Sequence, residues 1–373
     1  DSILLYRAGN QTVIPYNAVV SYEEWMESAT LSVDRELRGC CSSGIDRSSD
    51  LLATLDFRPR VYETAMVYAT PAVETVKTRE VSGQAYIDFP VNRTEIYPDY
   101  RRNPVELDKI RRTIDVIRND SDTRITSLSI KGYASPEGSY ANNERLAKGR
   151  TDALAGYVDG LYEFPSGLIS TSWEAEDWDG LRKYVEGSGL EGRDGILAII
   201  DSSLAPDARE RKLKTSYPVQ YKFLLENVYP GLRHSDYRVE YVIRSYTDVD
   251  EIASVMRTSP QKLSLHELFV LAQSLEPGSD AYNEVFEVAV RMYPDSELAN
   301  LNAASTALLR RDTAAAARYL SRAGDSPQAT YTRGVCAAID GDHDTAQRLL
   351  TSAQAAGVAE AAAALAELER VSR

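Results

Sequence analysis

The most distinctive residues of the chain lie in one loop and on the segment that follows it. The loop reads Gly-Tyr-Ala-Ser-Pro-Glu-Gly-Ser over residues 132–139, and Arg150 comes eleven residues later. A guanidinium can bind a carboxylate with two parallel hydrogen bonds, and a helix that begins near Ser139 would present backbone N–H groups to an anion. Glu137 adds a negative charge to the same loop. This combination favours non-covalent binding of a small charged group.

A second set of reactive side chains surrounds two tryptophans near the middle of the chain. Paired carboxylates can hydrolyse a glycosidic bond, and clustered oxygens can bind Ca²⁺. These acids are too crowded in sequence to be assigned to opposite sides of a cleft, and they lack the spacing of a calcium loop. The pattern favours a solvated strand end with one tryptophan packed beneath it. The residues are Glu174, Glu176, Asp177 and Asp179, beside Trp173 and Trp178.

The sequence offers little else for catalysis or metal binding. His234, His266 and His343 are far apart and have no ligand-like spacing. No serine or cysteine lies in a nucleophile elbow, and there is no glycine-rich phosphate loop. We therefore predict that the protein is not an enzyme, and we assign no catalytic residue, no metal ligand and no cofactor.

The composition restricts the class of partner. The 373 residues include 42 basic and 56 acidic side chains, which gives a net charge of -14. This charge disfavours nucleic acid and anionic membrane surfaces, because both attract proteins through Lys and Arg. No segment approaches the roughly 20 apolar residues that span a bilayer. The adjacent Cys40 and Cys41 are poorly placed for a disulfide with each other, and Cys336 is predicted to be a buried free thiol.

The elements that position these residues predict a multidomain protein of mixed α and β structure. Residues 1–81 are β-rich, with short strands predicted at 13–20, 29–37, 51–57 and 61–68, which indicates a small sandwich or an antiparallel sheet. Residues 82–247 alternate between strand and helix patterns. Residues 248–373 are alanine-rich and helical throughout.

The middle domain, 82–247, carries both the loop and Arg150. Alternating apolar residues over 85–89 predict its first strand. A helix is predicted to begin at Asn103, with Asn103 as its cap and Glu106 completing a capping box. The remaining predicted elements are strands at 125–131, 168–173 and 237–245, a helix at 140–157 and a largely helical insertion at about 177–230.

The C-terminal domain contains an internal repeat. Small residues 12 positions apart, with a large apolar residue four further on, allow two antiparallel helices to pack closely. The pattern resembles tetratricopeptide repeats with a slightly short period, and helical repeats expose concave surfaces that commonly bind peptides or helices. The matching residues, offset by 30 positions, are Ala304 and Gly334, Ala316 and Ala346, Leu320 and Leu350, and Ala323 and Ala353.

The loop and the following helix resemble the C-terminal domain of the outer-membrane protein A (OmpA-like) family. The resemblance covers about 82–247, apart from the insertion. The whole chain is also similar to a Bacteroidales subfamily with a β-rich N-terminal domain, a Gly-Tyr-Ala-Ser-Pro-Glu-Gly signature and an alanine-rich helical tail. The residues in register with the family pattern are Gly132, Gly138, Ser139, Asn143, Leu146 and Arg150.

The resemblance implies a βαβαβ-type mixed sheet that binds peptidoglycan. Family members hold the diaminopimelate side chain of the stem peptide with a helix Arg on its carboxylate and a loop Asp on its ammonium. Arg150 matches the arginine, but Ser135 stands where the family has Asp, and Glu137 is a candidate to supply the missing charge. Losing one charge-assisted hydrogen bond would weaken binding by about 10- to 100-fold. The ligand-binding residues implied here are Arg150, Ser135, Glu137, Asn143, Gly138 and Ser139.

Two functions remain open from the sequence. In the first, a protein of the periplasm or outer membrane docks on peptidoglycan while its N-terminal sheet and helical repeats bind envelope or surface-fibre proteins. In the second, the scaffold has lost peptidoglycan binding and serves in adhesion or fimbrial assembly. For Arg150 itself, the alternative to ligand binding is a surface salt bridge with Glu137 or Glu144. The chain starts at Asp1 without a signal-like region, and we expect that a signal or lipid anchor has been removed.

Overall fold

The computed structural model describes residues 17–39, 43–58 and 60–372. The protein is mixed α+β, with 51% of the described residues helical and 17% in strands, the strands in the N-terminal region and helices in the C-terminal region. It forms two compact units, one of Asp1–Ala69 with Asn300–Arg373 and one of Thr70–Ala299. The first and last segments of the chain therefore share one unit. No helix among the described residues is long and apolar enough to cross a membrane.

The N-terminal region contains a long β-hairpin. After a 3-10 turn at Glu24–Glu27, strands β1 (Ser28–Arg38) and β2 (Gly44–Asp56) pair antiparallel as a two-stranded sheet. These strands confirm the predictions at 29–37 and 51–57.

Of the two arrangements predicted for this region, the described residues show an antiparallel sheet, of two strands, and not the sandwich. Residues 17–20 and 61–68 belong to no strand, so both predicted strands are wrong where they are described. The rest of the first one, 13–16, lies outside the described residues, as do Cys40 and Cys41.

The second unit is built on a four-stranded sheet. Its strands are β3 (Lys77–Ala85), β4 (Thr123–Tyr133), β5 (Ile169–Glu174) and β6 (Ser235–Ile243), in the spatial order β3-β6-β4-β5. The pairs β3/β6 and β6/β4 are antiparallel, whereas β4 and β5 are parallel. A parallel pair requires a crossover connection, and here a helix supplies it. The end of β4 and the end of β5 consequently lie side by side.

Helices cover the sheet and fill the insertion. Helix α1 (Asn103–Arg118) follows β3, and α2 (Tyr140–Tyr162) is the crossover between β4 and β5. Their apolar faces pack with the strands in one core, in which Ile114, Leu128, Leu154 and Val239 are fully buried. The helical insertion predicted at about 177–230 contains α3 (Trp178–Glu186), α4 (Arg193–Ile200), α5 (Pro206–Ser216) and α6 (Pro218–Asn227) and has its own apolar core.

The start of α1 differs from its prediction. Asn103 does not cap the helix: its side chain accepts from the N–H of Asp88 at 2.7 Å and donates to the Asp88 carbonyl at 2.9 Å. The Glu106 carboxylate accepts from the N–H of Tyr86 at 3.1 Å. Because these side chains satisfy the backbone after Ala85, β3 ends there, and the strand predicted over 85–89 is displaced toward the N-terminus.

Three more helices complete the second unit, α7 (Val249–Thr258), α8 (Leu265–Gln273) and α9 (Asp280–Met292). They are joined to the sheet by charged contacts. Lys77 of β3 is 1% exposed, and its Nζ donates to both carboxylate oxygens of Glu267 at 3.0 Å. Asp122 accepts from Arg244 Nε at 2.7 Å, Lys262 Nζ at 3.0 Å and Tyr246 Oη at 3.0 Å. These donors, Arg244 foremost, lower the pKa of Asp122 to about 2.

The C-terminal region of the described chain consists of five helices. The elements are α10 (Glu297–Leu309), α11 (Thr313–Leu320), α12 (Pro327–Ile339), α13 (His343–Ala355) and α14 (Ala361–Ser372). A Cβ at Gly334 of α12 would lie 2.9 Å from the side chain of Leu350 in α13. These two helices therefore approach as closely as the repeat pattern predicts. Cys336 is a buried free thiol, as predicted, and burial raises its pKa to about 11.

Residues 60–69, part of which was predicted as a strand, lie extended along these helices. The side chain of Asn302 binds both backbone groups of Ala69. The Ala69 N–H donates to Asn302 Oδ1 and the Ala69 carbonyl accepts from Asn302 Nδ2, both at 2.8 Å. Ser305 donates to the Val67 carbonyl at 2.7 Å, and Tyr331 donates to that of Ala65 at 2.7 Å. Side chains of the helices thus replace the neighbouring strand that the sequence pattern suggested.

Replacing Asn302 with Ala should loosen the 60–69 segment. Both polar groups of Ala69 would lose their partner, which we expect to cost about 1–3 kcal/mol. Hydrogen exchange of a peptide covering 60–69 should accelerate, whereas Asn227→Ala, which removes one exposed local bond to Phe223, should leave it unchanged. Equal protection in the wild type and Asn302→Ala would contradict this assignment.

Asp122 should stabilise the second unit in a pH-dependent way. Because its folded pKa lies below the unfolded value of about 3.9, its contribution is full above about pH 5 and is lost as the pH falls from about 4 to 2. We expect Asp122→Asn to lower the unfolding free energy by about 2 kcal/mol at pH 7 and by about half as much at pH 3. Urea unfolding at both pH values measures this, with the fully exposed Asp325→Asn as control. If the loss of unfolding free energy in Asp122→Asn were the same at both pH values, the pH-dependent role of Asp122 would be contradicted.

Candidate functional site

The predicted loop lies at the end of β4, where the sheet meets α2. Gly132 and Tyr133 are the last two residues of the strand, and α2 begins at Tyr140. Gly132 contacts the helix so closely that a Cβ would lie 1.9 Å from Thr151 Oγ1. Thr151 is fully buried and donates to the Ala147 carbonyl at 2.7 Å. The glycine therefore allows α2 to lie directly on β4, and this packing positions Arg150.

Arg150 is a half-buried cation without an acidic partner. Its Nε donates to the Arg93 carbonyl at 3.2 Å, and its guanidinium lies 4.9 Å from the centre of the Phe89 ring. Among the described residues, no carboxylate lies within salt-bridge distance of it, so the internal pair with Glu137 or Glu144 is not formed. Burial lowers the pKa of Arg150 to about 10, and the nearby positive charges of Arg233 and Arg145 add to this effect.

The two polar residues of the loop are bound to an arginine that the sequence analysis did not single out. Arg233 donates from Nε to Ser135 Oγ at 2.9 Å and from Nη2 to Glu137 Oε2 at 2.5 Å. Ser135 is 4% exposed, whereas the Glu137 and Arg233 side chains are about half exposed. The Glu137 charge, predicted to receive a ligand ammonium, is thus paired with the chain itself.

Arg150 and Arg233 line one small cavity. Its volume is about 20 Å³, which is room for a water molecule or one oxygen-bearing group. Tyr133 and His234 form one wall, with their rings stacked and their centres 4.4 Å apart. The other lining residues are Ile87, Phe89, Gly132, Ala147 and Ser235. The cavity therefore combines two guanidinium groups with aromatic and apolar walls.

The start of α2 differs from the prediction of an open anion site. The Tyr140 N–H donates to Asp207 Oδ1 at 2.7 Å, and the Gly138 N–H donates to Glu210 Oε1 at 3.4 Å. Ser139 forms no side-chain cap, and Gly138 has φ +90, which explains the glycine. Carboxylates of the insertion therefore occupy the donors that the sequence assigned to an anionic ligand.

Asn143 lies apart from the cavity, in a buried polar network. It is 4% exposed, and its Nδ2 donates to Glu176 Oε1 at 2.9 Å. Trp178 Nε1 donates to the other oxygen of Glu176 at 2.7 Å. Burial raises the pKa of the Glu176 carboxyl despite these two donors. These contacts connect α2 to the start of the insertion.

The acidic cluster is only partly the solvated strand end that the sequence predicted. Glu174 is exposed and lies 3.6 Å from Lys131, but Glu176 and Asp177 are 4% and 6% exposed. Asp177 caps α3 by accepting from the Gly180 N–H at 2.8 Å, and burial raises its pKa. Among the described residues, no three acidic, histidine or cysteine side chains are grouped to hold a metal ion.

The aromatic wall also borders a wider, open depression of about 750 Å³, with Glu176, Asp177, Trp178 and Lys131 among its lining residues.

His234 and Arg233 are the functional candidates that the sequence reasoning missed. Both lie in the segment before β6, more than 90 residues from the loop, and no local motif marks them. Only the pairing of β6 with β4 brings them to the loop.

The chain matches no protein-family model, and no curated protein matches it either.

Gly132→Ala should disturb the packing that positions Arg150. Its new Cβ would overlap Thr151 Oγ1, and we expect a loss of about 1–3 kcal/mol because the buried threonine cannot move freely. The double variant Gly132→Ala with Thr151→Ala should recover part of that loss. Chemical denaturation measures both, with Gly156→Ala, where open space surrounds the new methyl group, as control. A Gly132→Ala protein as stable as the wild type would refute the close-packing argument.

Proposed function

We propose that this protein is a non-enzymatic component of the cell envelope that docks on peptidoglycan or a related envelope component through Arg150. The observation that carries the proposal is the half-buried guanidinium beside a cavity, without a carboxylate of the described chain to neutralise it. A buried charge is costly unless it is paired. An anionic group of a ligand would supply the missing pair.

The fold around Arg150 supports an OmpA-like assignment of the second unit. The order of elements is strand, helix, strand, helix, strand and, after the insertion, a final strand between the first and second. The loop carrying the family-like signature lies at the end of β4, with Arg150 on the crossover helix. Because neither the topology nor the motif depends on the other, their agreement strengthens the proposal.

The flanking elements support a role in binding other proteins. The hairpin β1–β2 exposes apolar side chains, among them Leu31, Val33 and Leu51, and a two-stranded sheet has little stability alone. The helical pairs α10–α13 are tetratricopeptide-like in our proposal, and residues 60–69 already occupy part of their surface. Envelope or surface-fibre proteins would bind these two elements. We assign the protein to the periplasm or outer membrane, as an exported chain.

A second candidate function is supported by the contacts of the loop. Ser135 and Glu137 are engaged by Arg233, and the Tyr140 N–H is engaged by Asp207. A scaffold that has lost peptidoglycan binding, and that serves as an adhesion or fimbrial assembly accessory, would tolerate such internal pairing. In that case Arg150 would be required for neither ligand retention nor envelope association.

Sedimentation with purified diaminopimelate-type sacculi separates the two functions. We expect the wild-type chain to be retained on the sacculi. Arg150→Ala should bind them at least about tenfold more weakly, because a charge-assisted bidentate contact is lost. Arg124→Ala is the matched control, since Arg124 is an exposed arginine near the opposite end of the same strand β4. Equal retention of wild type and Arg150→Ala would remove the docking proposal and favour the scaffold.

A further inference from the structure

We propose that the cavity between Arg150 and Arg233 binds a carboxylate that has no ammonium group on the same carbon, such as the free C-terminal carboxylate of a peptide. This inference rests on the proposed function of Arg150 and specifies the chemistry of the group that it holds. It differs from the sequence-based expectation, in which the ligand was the zwitterionic end of a diaminopimelate side chain.

The charges around the cavity carry this inference. A zwitterionic end requires one anchor of each sign, with the acid close to the ammonium. The loop position where an acid would stand is Ser135, whose hydroxyl accepts a hydrogen bond from Arg233 Nε at 2.9 Å. A guanidinium thus lies where a carboxylate was expected, and an ammonium placed there would be repelled.

Glu137 does not reverse this balance. Its carboxylate is paired with Arg233 at 2.5 Å, so at most it neutralises that one guanidinium. Arg150 remains without an acid partner among the described residues, and the positive charges of Arg233 and Arg145 both act on it. The net charge at the cavity is therefore positive, which suits a simple anion and disfavours a ligand that carries its own ammonium.

The shape of the site agrees with a small, flat head group. A cavity of about 20 Å³ admits little more than one oxygen-bearing group, and Phe89, Tyr133 and His234 flank it with ring surfaces. A guanidinium can hold a carboxylate with two parallel hydrogen bonds in such a confined space. The rest of a peptide would lie outside the cavity.

Arg233 also couples the site to Glu137. In the free protein Arg233 is held by Glu137, so a bound carboxylate competes with Glu137 for the same guanidinium. Removing the Glu137 charge should then strengthen ligand binding. The sequence-based expectation gives the opposite sign, because there Glu137 contributes the attraction for an ammonium.

Calorimetric titration of the full chain with three small probes tests this inference. The probes are N-acetyl-D-alanyl-D-alanine, the same dipeptide with its carboxylate converted to an amide, and meso-diaminopimelate, whose carboxylates each share a carbon with an ammonium. We expect the blocked dipeptide to bind most tightly and the amide to bind at least tenfold more weakly. Arg150→Ala should weaken dipeptide binding about tenfold or more, whereas Arg124→Ala should leave it unchanged.

The variant Glu137→Gln distinguishes the two expectations, because they predict opposite changes in its affinity for the ligand. We expect it to bind the dipeptide roughly two- to fivefold more tightly, which is the range of a partly exposed ion pair. The inference would be overturned, and the proposed function would stand, by three results together. Retention on sacculi would depend on Arg150, diaminopimelate would bind more tightly than the dipeptide, and Glu137→Gln would bind its ligand more weakly than the wild type. Retention on sacculi that does not depend on Arg150, with no dipeptide binding, would overturn both.

Discussion

The guanidinium of Arg150 lies half-buried beside a second guanidinium, and no acid of the described chain neutralises it. Within the described part of the chain, its only hydrogen bond goes to the Arg93 carbonyl, and the guanidinium lies 4.9 Å from the centre of the Phe89 ring. Such an arrangement disfavours the charged form, so burial, with the nearby charges of Arg233 and Arg145, lowers the pKa of Arg150 to about 10. The sheet and α2 nevertheless impose it, because the close contact of Gly132 with Thr151 fixes the helix on the strand. The fold therefore holds the positive charge of Arg150 in a half-buried place, where a bound anion would neutralise it.

The neighbouring polar groups are paired within the chain. Glu176 receives hydrogen bonds from Asn143 and Trp178, and Asp207 receives one from the first turn of α2. These internal pairs remove most of the sites that the sequence assigned to a ligand. What remains is a narrow positive cavity, so specificity would come from the sign and size of the bound group more than from the number of contacts. The same pairs connect the insertion to α2.

Elements with strong local patterns could be predicted from the sequence. The strands β4, β5 and β6, the helix of Arg150 and the 30-residue helical pairs all follow from apolar periodicity. The first strand was misplaced because Asn103 and Glu106 bind the backbone after Ala85, a tertiary effect with no periodic signal. The 61–68 segment has the composition of a strand, but its hydrogen bonds go to side chains such as Asn302. Arg233 could not be predicted at the site, since only strand pairing brings it to Ser135.

The Arg150 guanidinium can be observed directly by NMR during ligand binding. In a protein labelled with ¹⁵N at arginine, the Nε–Hε resonance of Arg150, assigned with Arg150→Lys, can be followed while a soluble peptidoglycan fragment is added. We predict that this resonance and that of Arg233 shift together and saturate with one dissociation constant, while the resonance of Arg124 stays in place. An Arg150 resonance that does not move at saturating fragment would contradict the claim that this unpaired charge is the docking point.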